Sequence, residues 1–163
     1  HGPNLERWLL LSGKYRDSLI YDDETFNAAA TELNKIVTAL KQCEVKAQTS
    51  GVELDDSFNE EKYQEFLAQM ADDLNTPNAY MVIFDTVKLL NQALRSRELD
   101  WKQISANYNA IEKMLEILGI FIDPVEMSKE DLELYEKWNQ AKKDKDFETA
   151  DAYRKQLSEK GIL

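Results

Sequence analysis

Residues 75–95 read NTPNAYMVIFDTVKLLNQALR. Tyr80, Ile83, Phe84, Val87 and Leu94 recur at steps of three and four, and that period puts them on one face of an α-helix. Thr76 is expected to cap the helix. Pro77 sits at its first position, where a missing N–H leaves no bond unmade.

The same pattern runs outward in both directions. Residues 100–119, DWKQISANYNAIEKMLEILG, place Ile104, Tyr108, Ile111, Leu115 and Leu118 on one stripe and stop at Gly119. Upstream, FNEEKYQEFLAQMADD carries Tyr63, Phe66, Leu67 and Met70. Before it, DDETFNAAATELNKIVTALKQC aligns Phe26, Ala29, Ala30, Leu33, Val37 and Leu40, with Asp22 or Asp23 as its cap. NLERWLLLSGK brings Leu5, Trp8 and Leu9 together and ends near Gly13. The polar stretch from Glu44 to Ser57 reads as a loop. Four amphipathic helices and a short leading one therefore predict an antiparallel helical bundle over residues 1–122.

IFIDPVEM, residues 120–127, is the expected boundary. Beyond it, Ser128 stands three residues before Asp131 in a capping-box pattern, and Leu132, Tyr135 and Trp138 share a face. An interruption near Lys145 and Asp146 precedes a last helix from Phe147 to about Lys160, ended by Gly161. Residues 123–163 thus predict a short C-terminal helical pair. The expected fold class is all-α.

Charge divides along the same line. The chain carries a net −11. Residues 137–160 hold seven basic and five acidic side chains, a balance of +2, which leaves −13 for the remainder. An acidic body repels nucleic acid as a whole, so any nucleic-acid contact is expected to be local and at the basic end. No apolar run is long enough to span a membrane. No signal peptide is read at the start, and the single cysteine, Cys43, forms no internal disulfide, so a cytoplasmic location is expected. Cys43 itself is expected on a helix near the surface.

Catalytic constellations are not found. His1, the lone histidine, stands at the very start, no Cys/His cluster has metal-ligand spacing, and the five glycines are isolated. Asp72 and Asp73 form a carboxylate pair at a helix end, where capping or solvation is the plainer role. MSK at residues 127–129 lacks the rest of a KMSKS nucleotide loop.

Three stretches, in order, carry a resemblance. MADDLNTPNAYMVIFDTVKLLN, residues 70–91, resembles the DDxNTPxA…FD…N pattern of cysteinyl-tRNA synthetases. LERWLLLSGKYRDSLIYDDETFNAA, residues 5–29, is similar to that family's LRxxLLSxHYRxPLxxS segment. AKKDKDFETADAYRKQLSEKGI, residues 141–162, is similar to its closing ARxxKDWxxADxxRDxLxxxGI. The resemblance implies a family that joins cysteine to tRNA-Cys with ATP, on an α/β core with a zinc ion. That core would precede residue 1, so this stretch is not expected to catalyse the reaction and holds no cofactor of its own. Residues 123–163 would be an anticodon-binding module lacking the family's final strand and GTxW ending. The expected partners are tRNA-Cys and the catalytic domain of the same chain, with neither DNA nor membrane.

The resemblance also implies site residues. Phe147 matches the family's stacking aromatic, usually Trp. Asp151 matches the acid of its AD pair, suited to the paired N–H donors of guanine in a GCA anticodon. Arg154 matches the RD arginine. Lys142 stands where the family more often has Arg, without the bidentate fork. Lys14 replaces the histidine of HY. Other readings stay open: Phe147, Ala150 and Tyr153 as a core face packed on Trp138, the lysines as a solvated face, and Tyr15 and Arg16 as turn packing. At the level of function the alternatives are a helical protein-interaction domain and a cysteine-using ligase of thiol biosynthesis.

Overall fold

The helix read from residues 75–95 is present as one of seven, in a computed structural model that describes residues 2–13, 22–72 and 74–163. They are α1 (Pro3–Leu11), α2 (Asp23–Thr49), α3 (Glu60–Ala71), α4 (Thr76–Arg95), α5 (Trp101–Ile117), α6 (Lys129–Lys143) and α7 (Phe147–Glu159). Among the described residues there is no strand, and the class is all-α. The chain divides into two units. One comprises His1–Leu40 with Leu54–Ile122, the other Lys41–Glu53 with Asp123–Leu163. Lys14, Tyr15, Arg16 and Asp73 lie outside the described residues.

The first unit is built on α3, α4 and α5, which pack on one another. Phe66, Ile83, Leu90, Ile104, Ile111 and Met114 are completely buried. Each such side chain contributes about 1.5–3 kcal/mol by leaving water. Trp8 of α1 is also fully buried, stacked on Tyr80 at 3.7 Å between ring centroids, with Phe84 edge-on at 5.9 Å. Its indole N–H donates to Glu32 at 3.1 Å, and the Tyr80 hydroxyl donates to the Trp8 carbonyl at 2.8 Å. Burial, then the nearby Glu32 carboxylate, pushes the Tyr80 phenol well above its ordinary range, so it stays a donor. Residues 55–59 are tied to α5 by Asn109, which donates to the carbonyls of Asp55 and Ser57, and by the Asn59–Asn107 amide pair.

Three expectations need correction. Thr76 is not the cap of α4. Asn75 caps it, accepting from the Asn78 N–H, while Thr76 is the first helical residue and is buried, its hydroxyl donating to the Gly13 carbonyl at 3.1 Å. Residues 44–49 are helix, not loop: Val45 packs with Leu157 and Ile162 in the core of the second unit, and Ala47 is buried too. Cys43 is fully buried rather than near the surface. The cap of α2 is Asp22, whose carboxylate accepts from the Thr25 N–H at 2.7 Å.

Candidate functional site

The basic C-terminal stretch lies in the second unit, whose core is Val45, Leu157 and Ile162, with Val125, Met127, Leu134, Tyr135 and Trp138 packed against it. Gln48 of α2 holds the extended segment before α6: its amide donates to the Val125 carbonyl and accepts from the Met127 N–H. The Glu44 carboxylate accepts from the Val125 N–H.

From there α6 and α7 form a hairpin. The Ser128 hydroxyl accepts from the Asp131 N–H at 3.2 Å, and the Asp131 carboxylate accepts from the Ser128 N–H at 3.0 Å, completing the capping box. The other Asp131 oxygen accepts from the Lys160 ammonium at 2.8 Å, joining the start of α6 to the end of α7. That hydrogen bond is the largest reason why the Asp131 carboxyl lies below its ordinary range and the Lys160 ammonium above its own.

The turn at residues 144–146 puts Phe147 at the first position of α7, with Asp146 as the cap accepting from the Thr149 N–H. At 100° per residue, Ala150, Tyr153 and Leu157 fall within about 60° of one another. They are the side that faces inward: Ala150 and Leu157 are buried and Tyr153 is half-buried. Phe147, Asp151 and Arg154 fall within a second arc of about 60°, centred roughly 100° away. All three are exposed. The Phe147 ring is 67% exposed, so the reading of it as core on Trp138 is overturned, while Ala150 does belong to the core.

Lys142 is placed differently. Its ammonium sits over the Trp138 ring, 3.6 Å from the centroid, and Tyr135 meets that ring edge-on at 5.3 Å. A cation held on an aromatic face keeps its outward N–H donors. Trp138 is thus a residue of the site that the reading of motifs missed, although its spacing of four from Lys142 on one helix was the signal. The candidate site therefore consists of an exposed ring, a carboxylate and a guanidinium on one helix face, with a positioned ammonium on the preceding helix. Such a set can stack a flat base, accept paired N–H donors and meet phosphate. Among the described residues no group of three His, Cys, Asp or Glu could hold a metal ion.

Residues 65–122, from within α3 to the end of the first unit, match the DALR domain family. The class that the fold defines is therefore all-α, with a stretch similar to DALR domains. Its similarity to known proteins extends further. It is 30% identical to the cysteine–tRNA ligase of Geobacillus sp. (strain WCH70), over 99% of this chain and 36% of that protein. It is 34% identical to that of Photorhabdus laumondii, over 96% and 34%, and 32% identical to that of Hamiltonella defensa, over 100% and 36%. Along almost all of its length the chain is thus similar to part of these cysteine–tRNA ligases. It spans about a third of the length of the curated relatives it matches.

Proposed function

We propose that this chain is the tRNA-binding part of a cysteine–tRNA ligase and that α7 reads the first anticodon base of tRNA-Cys. The observation that carries this reading is the Phe147 ring. It is a large apolar side chain at the tip of a hairpin, mostly exposed, on one face with Asp151 and Arg154. Single-stranded RNA is recognised by stacking unstacked bases on such rings and bonding their edges. Phe147 stacks the first base of GCA. The Asp151 carboxylate accepts the two N–H donors on guanine's Watson–Crick edge, and a base lacking that donor pair leaves it unmatched. Arg154 and the ammonium of Lys142 meet phosphate or base acceptors. ATP and zinc belong to the catalytic part of the ligase, which this stretch serves by gripping the tRNA. The setting for that role is the cytoplasm, and no helix among the described residues is long and apolar enough to cross a membrane.

The test is a titration at fixed salt with two unmodified tRNA-Cys transcripts, one with GCA and one with a changed first base. Binding is expected to favour GCA. Phe147→Ala should weaken it by roughly 1–3 kcal/mol, the worth of one stacked base. Its melting temperature should hardly move, because the ring is exposed. Equal, negligible binding to both transcripts would sink the reading.

A further inference from the structure

Four helices of this chain end in the same turn. After α2, α5, α6 and α7 the chain makes the paired bonds of a Schellman motif. They are Val52 N–H to Ala47 and Gly51 N–H to Gln48; Ile120 to Leu115 and Gly119 to Glu116; Asp146 to Ala141 and Lys145 to Lys142; and Ile162 to Leu157 and Gly161 to Ser158. Each turn needs one residue with left-handed backbone. In three it is glycine, with φ of 66°, 73° and 74°. In the fourth it is Lys145, with φ of 57°. A side chain in that region is disfavoured, and a lysine gains no local hydrogen bond there as Asn or Asp would.

No side-chain partner among the described residues compensates for it. Lys145 is exposed, and its ammonium makes no ion pair or hydrogen bond with any described residue. It lies two residues before Phe147, at the tip of the hairpin. Left-handed non-glycine residues gather where function holds them against the backbone's preference.

We propose that Lys145 is an RNA-phosphate contact, with its ammonium placed beside the base stacked on Phe147. The inference rests on the anticodon reading given above. It assigns a task to a residue that helix stability alone would replace with glycine. A base stacked on Phe147 brings its own phosphate to the tip of the hairpin. The turn places there a cation that no carboxylate among the described residues has claimed.

The proposal makes stability and binding move in opposite directions at one residue. Lys145→Gly, Lys145→Asn and Lys145→Arg would be compared with the unaltered 163-residue chain, by thermal melting and by titration with the GCA transcript across a range of salt. Lys145→Gly is expected to raise the melting temperature by about 2–4 °C. It should also weaken RNA binding about 3- to 10-fold and lower the slope of log affinity against log salt by about 0.7. Lys145→Asn, which tolerates the left-handed backbone without charge, should lose the same binding. Lys145→Arg should retain both binding and slope. Lys145→Gly that binds RNA as the unaltered chain does, with unchanged slope, would overturn the inference and leave the anticodon reading standing. No binding by the unaltered chain would overturn both.

Discussion

Gly119 and Lys145 occupy equivalent turns, yet only one of them tolerates a side chain. At Gly119 the backbone has φ of 73°, and its carbonyl accepts from the Arg7 guanidinium at 2.6 Å. A Cβ there would run into that guanidinium. Nearby, Asn4 grips the backbone of Phe121 at both its N–H and its carbonyl, so α1 is fastened to the end of α5 within the first unit. Gly119→Ala therefore carries the left-handed penalty of about 1–2 kcal/mol and displaces a hydrogen-bonded cation, adding about 1 kcal/mol. The urea midpoint should fall accordingly. The displacement cost should vanish in an Arg7→Ala background, so the double variant is less destabilised than the two single losses added together. Strict additivity would show that Arg7 does not crowd the turn. Lys145 is exposed and already carries a side chain on that backbone, so its cost is that of the left-handed conformation alone.

At the scale of elements, the α6–α7 hairpin is closed by one charged clasp. Asp131 binds fewer protons folded than unfolded, since its carboxyl lies below the ordinary range, first because of the Lys160 hydrogen bond and then the Ser128 N–H. Its contribution is therefore present above about pH 4, the unfolded carboxyl value, and lost as pH falls through the folded one. Lys160 has the opposite sign: its folded value is raised, so its contribution is lost only as pH rises past the ordinary lysine range. The melting temperature of Asp131→Asn should lie below that of the unaltered chain at pH 7, and the gap should close as pH falls toward 2. A gap independent of pH would assign the clasp no electrostatic role. The capping box behind this clasp was legible in the sequence, because Ser128 and Asp131 interact across three residues. So were the stripes of α4 and α5, whose period survives any arrangement. The last turns of α2 were not legible: Glu44 and Gln48 look solvated, and the backbone of residues 125–127, far along the chain, gives them partners that local spacing does not reveal. The cap of α4 was misread because Asn75 and Thr76 are both good caps, and a distant carbonyl at Gly13 claimed the threonine hydroxyl. In the candidate site, the positions of Phe147, Asp151 and Arg154 came from a motif. The exposure of the ring came only from folding, and the capture of Lys142 by Trp138 was signalled by nothing but their spacing of four.

Over the whole molecule, charge decides where a polyanion can land. Outside residues 137–160 the chain sums to −13, so its long-range field repels phosphate, while the C-terminal stretch is +2. Binding that relied on general attraction would need many cations and would collapse steeply with salt. Binding confined to the α6–α7 hairpin uses three, Lys142, Lys145 and Arg154. With about 0.7 of a counterion released per single-strand phosphate contact, log affinity should fall against log salt with a slope of about −2. An isolated anticodon stem-loop should reproduce that slope, because the acidic remainder offers the rest of a tRNA no net attraction. Titrations of the stem-loop and of whole tRNA-Cys, each between low and physiological salt, make the comparison. A far steeper slope for the whole tRNA would show that local basic groups in the first unit also hold RNA. A slope near zero with affinity retained would mean that stacking on Phe147 and hydrogen bonds to Asp151 carry the binding without phosphate contacts.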